Sequence, residues 1–229
     1  MERKKAIAVR ALMVFGALGA WFYTQSLIGA RGFPAAGIGD GLLDATAPIH
    51  RWLVEHPGAA DALLIVSSLG IDFLGLFLLG RAIFGPSLRP LIGLLIIFGL
   101  RQICQSLTAL PPPEGMIWRD PGFPGLLVTY GVSNDLFFSG HTALAVFGCM
   151  ELARLGRPWI VRAAILLAVF QIVTVMVLRA HYTMDVFAAA FVSLFVSTML
   201  DRLAPPVDRF AARFGAGAPE SSPKAPRAA

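Results

Sequence analysis

The sequence predicts an all-α, polytopic membrane protein with six transmembrane helices and both termini in the cytoplasm. Only 14% of its 229 residues are charged, whereas soluble domains contain about 25%. Its apolar runs approach the roughly 20 residues that cross a bilayer as a helix, and they do not alternate in polarity as barrel strands would. The six runs lie near residues 6–30, 59–80, 88–110, 138–155, 158–179 and 184–203.

The first run follows the basic stretch "MERKK" and is predicted to be a membrane helix. It is longer than the apolar part of a signal peptide, about 7–15 residues, and no small-x-small cleavage site follows it. In the next segment, residues 31–58, apolar residues recur at roughly helical spacing, which indicates a short helix on the membrane surface. This helix either guides lipid into a site or simply caps the bundle at the interface.

The second outer segment, residues 111–135, contains too much Pro and Gly for a continuous helix. A long loop of this kind is often a lid or a binding loop. Its aromatic residues Trp118, Phe123 and Tyr130 could surround a quaternary ammonium group or anchor the loop among lipid headgroups.

Because the six apolar runs take up most of the chain, residues 1–203 are predicted to form one membrane domain. The Ala-, Pro-, Gly- and Ser-rich residues 204–229 are predicted to be a disordered cytoplasmic tail.

The net charge of +5 predicts topology and not a nucleic-acid partner, because the basic residues are unevenly distributed. Fourteen of the nineteen Lys and Arg residues fall at the termini or in the connections on the same side as the termini. The positive-inside rule places that side in the cytoplasm. Cys104 and Cys149 fall inside predicted helices, so no external disulfide is expected.

Two polar motifs reach the outer side of the predicted bundle. "SNDLFFSGHTA" opens the fourth helix, and "HYTMD" lies between the fifth and sixth. His181 and Asp185 are four residues apart and can share a helical face, where the carboxylate would orient the imidazole. His141 follows Ser139 and Gly140 at a helix N-terminus, where backbone N–H groups bind phosphate. Each motif alone could be a polar anchor or a helix cap, but together they predict a phosphoryl-transfer site without a metal or cofactor.

Arg101 lies roughly 13 Å inside the third predicted helix, at 1.5 Å per residue. A charge at that depth usually faces a cavity or a partner. It could hold a phosphate as a bidentate clamp, or it could pair with Asp72 or Glu151. Asp135 could tune His141 or cap the fourth helix.

At these residues the sequence resembles the sphingomyelin synthase family, a branch of the type 2 phosphatidic acid phosphatase superfamily. Three blocks, all within residues 59–203, carry the resemblance: "LRQICQSLTALPPPEGM", "SNDLFFSGHTA" and "AHYTMDVFAAAF". The second block has Ser133 and Asn134 where the family has Cys-Gly. The spacing around His181 differs from that of ordinary lipid phosphatases, which favours the synthase branch.

The resemblance implies that His181, oriented by Asp185, attacks the phosphorus of a phospholipid donor and releases diacylglycerol. The headgroup would then pass to the hydroxyl of ceramide or a related lipid alcohol, with His141 exchanging the proton. With water as acceptor, the same site would be a lipid phosphatase or phospholipase C. The expected substrate-binding residues are Arg101, Asp135, Ser139, Gly140 and Tyr182.

The expected location is the bilayer of a bacterial inner membrane, with the site on the external side, and the sequence leaves the oligomeric state open. A non-catalytic transporter is the remaining alternative. It should show inverted repeats and helices broken near the midplane, and the sequence shows neither.

Overall fold

In the part of the chain that the structure describes, helices are joined by short turns and by a long loop between Leu107 and Gly140. The computed structural model describes residues 38–128, 130 and 136–215, and ten helical residues between 15 and 27. The latter belong to a separate unit, residues 1–39. The helices of the main unit are α1 (Gly41–Ala45), α2 (Ala47–Glu55), α3 (Pro57–Phe84), α4 (Arg89–Leu107), α5 (Gly140–Ala153), α6 (Pro158–Val177) and α7 (Thr183–Gly215). The all-α prediction is confirmed for these described residues, which contain no strand.

Four helices, α3, α4, α6 and α7, are long and apolar enough to cross a membrane, which supports an integral membrane protein. They correspond to four of the six predicted runs. The run at 138–155 forms α5, whose 14 residues span about 21 Å, less than the roughly 30 Å hydrocarbon core. The run at 6–30 lies largely outside the described residues. Neither six spans nor the orientation of the termini is therefore confirmed.

Helix α5 occupies the centre of the bundle. Nine of its 14 residues are buried, and it packs against α3, α4, α6 and α7. Its start is fixed by Ser139, whose side chain accepts a hydrogen bond from the Thr142 amide at 3.3 Å. Its end is followed by Gly156 in a left-handed conformation, φ +70°, which glycine adopts without steric penalty. The cap at Ser139 and the left-handed Gly156 therefore limit α5 at its two ends, although the apolar run is longer.

The close packing of α4 on α5 depends on a glycine. A Cβ atom added to Gly93 would lie 2.1 Å from Cζ of Phe147, and Phe147 is fully buried. We expect Gly93→Ala to destabilise the fold by about 1–3 kcal/mol through overpacking, measured as a lower Tm in detergent. Gly99→Ala on the same helix is the matched control, because nothing lies within 4 Å of the added methyl group. An unchanged Tm for Gly93→Ala would contradict this packing.

An ion network joins α4, α5 and α7 at the end of the bundle where α4 begins. Arg89 is buried, and its Nε donates to Glu151 at 2.8 Å. Its Nη1 donates to Asp201 at 2.9 Å, and its Nη2 donates to the Ser197 carbonyl at 2.6 Å. Because Glu151 accepts from Arg89, it is not the partner that the sequence suggested for Arg101. Arg89 lies about 18 Å along α4 from Arg101.

Helix α7 continues past residue 203, where the sequence predicts the tail to begin, as far as Gly215, and it includes Pro205 and Pro206. Tertiary contacts hold this extension in place. The Asp208 carboxylate accepts from the Ser87 hydroxyl and the Leu88 amide, both at 2.7 Å. Composition alone misses such contacts. The disorder predicted for residues 216–229 lies outside the described residues.

Candidate functional site

A cavity of about 310 Å³ lies where α4 ends and α5 begins. Arg101, His141 and His181 all line it, so the structure brings together three of the predicted functional side chains, and a fourth predicted site residue, Gly140, lies in the same lining. The rest of the lining is almost entirely apolar. It consists of Ile71, Gly75, Leu79, Leu94, Phe98, Met116, Trp118, Leu127, Val128, Leu136, Gly140, Leu144 and Ala180. A mostly apolar cavity with a few convergent polar groups is the usual form of a small-molecule site.

His141 is the second residue of α5 and is buried, with 9% of its surface exposed. Its ring packs edge-on against Trp118, with centroids 5.1 Å apart and planes at 85°. Its Nε2 has no hydrogen-bond partner among the described residues. Buried polar atoms in folded proteins are nearly always paired, so this nitrogen is suited to exchanging a proton with a bound molecule.

His181 lies in the turn between α6 and α7, beside the fully buried Asp185. Its Nδ1 is 3.6 Å from Asp185 Oδ2, which is too long for a hydrogen bond. Oδ2 instead accepts from the Tyr182 amide at 2.9 Å, and Oδ1 has no partner among the described residues. Asp185 is the third residue of α7, and its side chain accepts from the backbone N–H of the residue just before the helix. This is one of the two hydrogen bonds of a capping box. The carboxylate therefore caps the helix and also lies beside the imidazole.

Arg101 lies against the start of α5. Its Nε donates to the Phe138 carbonyl at 2.8 Å. A Cβ atom added to Gly140 would lie 3.4 Å from that Nε and 3.8 Å from Nη2. Glycine at position 140 therefore leaves the guanidinium close to the helix N-terminus, where both favour an anion. Asp72, the other suggested partner of Arg101, binds elsewhere: it accepts from the Leu126 and Leu127 amides, both at 2.9 Å.

The long loop forms one wall of the cavity. Leu127 fills a notch over Gly75, where an added Cβ atom would lie only 2.0 Å from Leu127 Cδ1. Together with the Asp72 hydrogen bonds, this contact fixes the loop against α3. The sequence did not reveal this role of Asp72, because an acid inside an apolar run gives no sign of which distant amides it will bind.

The aromatic residues of the loop do not form the predicted cage. The rings of Trp118 and Tyr130 lie with centroids 5.0 Å apart, within the range of direct aromatic contact, so no ammonium group fits between them. The Tyr130 hydroxyl is hydrogen-bonded to Ser68. Phe123 and Tyr130 line a separate depression that contains neither histidine.

Two further residues predicted to bind substrate are placed differently. Ser139 is fully buried and caps α5. The Tyr182 hydroxyl donates to the Pro111 carbonyl at 3.1 Å, and burial raises the pKa of this phenol above its usual value. Neither side chain lines the cavity. Asp135 lies outside the described residues. Among the described residues, no group of three or more His, Cys, Asp or Glu residues could hold a metal ion.

Asp40 and His50, which no sequence pattern places at the site, contact the histidine turn, the segment between α6 and α7 that carries His181, from outside. Asp40 caps α1 and also accepts hydrogen bonds from the amide and hydroxyl of Thr183. Burial alone would raise the pKa of Asp40, but the hydrogen bonds from Thr183, Leu43 and Leu42 outweigh burial and lower it. An Asp before an apolar helical pattern predicts a cap. The contact between Asp40 and Thr183, which are 143 positions apart, has no local signal in the sequence.

Comparison with known proteins relates this site to lipid metabolism. A family model described as AtPDCT1/2 matches residues 40–203. The chain is 26% identical over 163 residues to phosphatidylcholine:diacylglycerol cholinephosphotransferase 1 of Arabidopsis thaliana, a match covering 71% of this chain and 52% of that protein. It is 33% identical over 103 residues to phosphatidylinositol:ceramide inositolphosphotransferase 3 of the same plant, covering 44% and 35%.

The chain thus spans about half the length of the first relative and about a third of the second. No solved structure matches it. Both relatives are plant proteins, so they give no support to a bacterial inner membrane. Their names support the sphingomyelin synthase resemblance at the coarser level of lipid headgroup phosphotransferases. Because the family match extends over residues 40–203 and includes the whole histidine site, the chain belongs to the AtPDCT1/2 family.

Proposed function

We propose that the protein is a membrane phosphotransferase that moves a phospholipid headgroup, of the phosphocholine or phosphoethanolamine type, to a lipid alcohol. Ceramide or a related alcohol such as diacylglycerol would be the acceptor. The observation that carries the proposal is the presence of Arg101, His141 and His181 in one cavity. Two imidazoles and a guanidinium supply a nucleophile, a proton carrier and a positive charge for the phosphate oxygens.

In the proposed first step, His181 attacks the donor phosphorus. Its Nδ1 faces Asp185, so the attacking atom would be Nε2. A P–N bond forms while the P–O bond to diacylglycerol breaks, and His141 donates a proton to the departing oxygen. In the second step His141 takes the proton of the acceptor hydroxyl, whose oxygen forms a new P–O bond as the P–N bond breaks. Asp185 stabilises the positive charge on His181 throughout.

The apolar part of the cavity suits a lipid donor. Ile71, Gly75 and Leu79 recur every four residues along one face of α3, over about 12 Å, and Leu94 and Phe98 line the cavity from α4. A volume of about 310 Å³ is at the small end of ligand pockets. It would accommodate a headgroup and part of one hydrocarbon chain, with the remainder in the surrounding lipid.

The site is proposed to face the non-cytoplasmic side of the membrane. Arg81, Arg89, Arg154 and Arg157 lie at or beside the ends of α3 to α6 opposite the ends that lie nearer to His141 and His181. Basic residues in short connections favour the cytoplasmic side, which would leave the two histidines on the opposite side.

The test is a product analysis with purified protein in phospholipid vesicles. The donors would be phosphatidylcholine and phosphatidylethanolamine with labelled headgroups, each with and without ceramide or a diacylglycerol whose acyl chains differ from those of the donor, and the products would be separated. We expect labelled product lipid whose formation depends on the added alcohol. Label released only as phosphocholine, phosphoethanolamine or inorganic phosphate would show the alternative, a hydrolase that uses water. No turnover of any donor would contradict both.

A further inference from the structure

The segment before α3, which contains α1 and α2, contacts the histidine turn between α6 and α7 at both ends of that turn. Asp40, at the start of α1, binds the first residue of α7, and His50, in α2, binds the last residue of α6. We propose that Asp40 and His50 form a clamp that positions His181 for attack on phosphorus. Both are positioning residues, since neither lines the cavity. The inference rests on the proposed function, in which His181 is the nucleophile.

The Asp40 carboxylate caps two helices at once. Its Oδ1 accepts from the Leu42 and Leu43 amides of α1 at 3.1 and 3.2 Å. Its Oδ2 accepts from the Thr183 amide at 2.6 Å, and the Thr183 hydroxyl donates to Oδ1 at 2.5 Å. Hydrogen bonds to an ionised acceptor are about twice as strong as neutral ones. Because Thr183 is the first residue of α7 and lies two positions after His181, movement at Thr183 would move the imidazole.

His50 fixes the other side of the turn. It is buried, with 4% of its surface exposed, and its Nδ1 donates to the Val177 carbonyl at 2.9 Å. A Cβ atom added to Gly115, whose φ is +76°, would lie 3.0 Å from His50 Nε2. The loop backbone at Gly115 therefore lies beside the ring nitrogen of His50 that does not bind α6.

The turn between these two contacts needs external support. Arg179 has a positive φ of 53°, which is uncommon for a residue with a side chain. Backbone in such regions persists where the surrounding structure determines it. Here the Arg179 Nη1 donates to the Glu114 carbonyl at 2.8 Å, and the Ile117 amide donates to the Leu178 carbonyl at 2.8 Å. The clamp and the loop together hold the segment that carries His181.

The contacts of Asp40 and His50 distinguish the two roles that the sequence suggested for the segment before α3, which are guiding lipid into the site and capping the bundle. A surface that guides lipid would present its polar groups to the entering substrate, and its loss would raise KM. Asp40 and His50 instead direct their polar atoms at the backbone around His181. Loss of the clamp should therefore lower kcat and leave KM nearly unchanged.

The test compares Asp40→Ala with two related variants in the headgroup-transfer assay. We expect Asp40→Ala to lower kcat by about 10²-fold, the effect of a displacement near 1 Å at a reacting group, with KM within about twofold. Asp40→Asn should recover only part of the loss, because its single amide oxygen can replace Oδ1 as acceptor for the Thr183 hydroxyl, whereas its NH2 group, a donor, would face the Thr183 amide. The matched control is Asp44→Ala, which removes an exposed carboxylate from the same helix. It should behave as wild type.

Hydrogen–deuterium exchange on the same proteins provides a readout that does not depend on turnover. The Thr183 amide should exchange faster in Asp40→Ala than in wild type or Asp44→Ala. If wild type turned over no lipid, the proposed function would fail, but the exchange result would still test the contact. Should Asp40→Ala not fold, Thr183→Val removes only the hydroxyl donor and Thr183→Ser restores it. Wild-type kcat together with unchanged exchange, or a raised KM at constant kcat, would overturn the clamp.

Discussion

Replacing His181 by alanine is expected to abolish headgroup transfer, lowering turnover by about 10⁴-fold or more. The loss should be this large because no other described group in the cavity is placed to replace it as a nucleophile supported by a carboxylate. His141 has no acid in an equivalent position among the described residues, and Arg101 is always protonated. The measurement is kcat with labelled donor under saturating acceptor.

Folding should survive this change. His181 Nδ1 makes no hydrogen bond among the described residues, so truncation leaves no partner unpaired there. Expression, membrane insertion and Tm should stay close to wild type. His56→Ala is the matched control, since His56 is an exposed histidine bonded to the Trp52 carbonyl in its own segment, and it should retain full activity. A His181→Ala protein with wild-type turnover would remove the proposed nucleophile.

Changing Asp185 to asparagine should lower kcat by about 10²–10⁴-fold while leaving the fold intact. In the proposed mechanism this carboxylate has two tasks, and the substitution separates them. An asparagine oxygen still accepts from the Tyr182 amide, so the start of α7 is preserved. The negative charge 3.6 Å from His181 Nδ1 is lost, and with it the stabilisation of the imidazolium formed during attack. KM should change little because Asp185 does not line the cavity.

Two comparisons make this result decisive. Asp185→Ala should lose the same activity and also about 0.5–2 kcal/mol of stability, because the cap is removed. Asp201→Asn, on the same helix but at the Arg89 network, should reduce Tm without reducing kcat. A preserved kcat in Asp185→Asn, with a Tm loss only in Asp185→Ala, would show that Asp185 only caps the helix.

Much of this site could be predicted from the sequence because its chemistry is local. His181 and Asp185 are four residues apart, and Ser139 to His141 are consecutive, so each motif can be recognised without knowing the fold. Hydropathy then places both motifs at the same end of the bundle. The convergence of His141 and His181 on one cavity follows from these two facts.

The parts that could not be predicted depend on contacts between distant residues. Arg101 and Arg89 lie on the same helix, but only the fold assigns Arg101 to the cavity and Arg89 to Glu151. Asp72 binds loop amides 54 and 55 positions away. The extension of α7 past residue 203 overrides a composition typical of disorder, because Asp208 binds the start of α4.

The most direct test of the account is to identify the covalent intermediate. The protein would be mixed with a donor phospholipid labelled in its headgroup, without an acceptor, quenched at alkaline pH, and analysed by mass spectrometry of its peptides. We expect a phosphoryl headgroup adduct on His181 that disappears when a lipid alcohol is added and is absent from His181→Ala. An adduct on another residue, or acceptor-dependent turnover without any adduct, would contradict it.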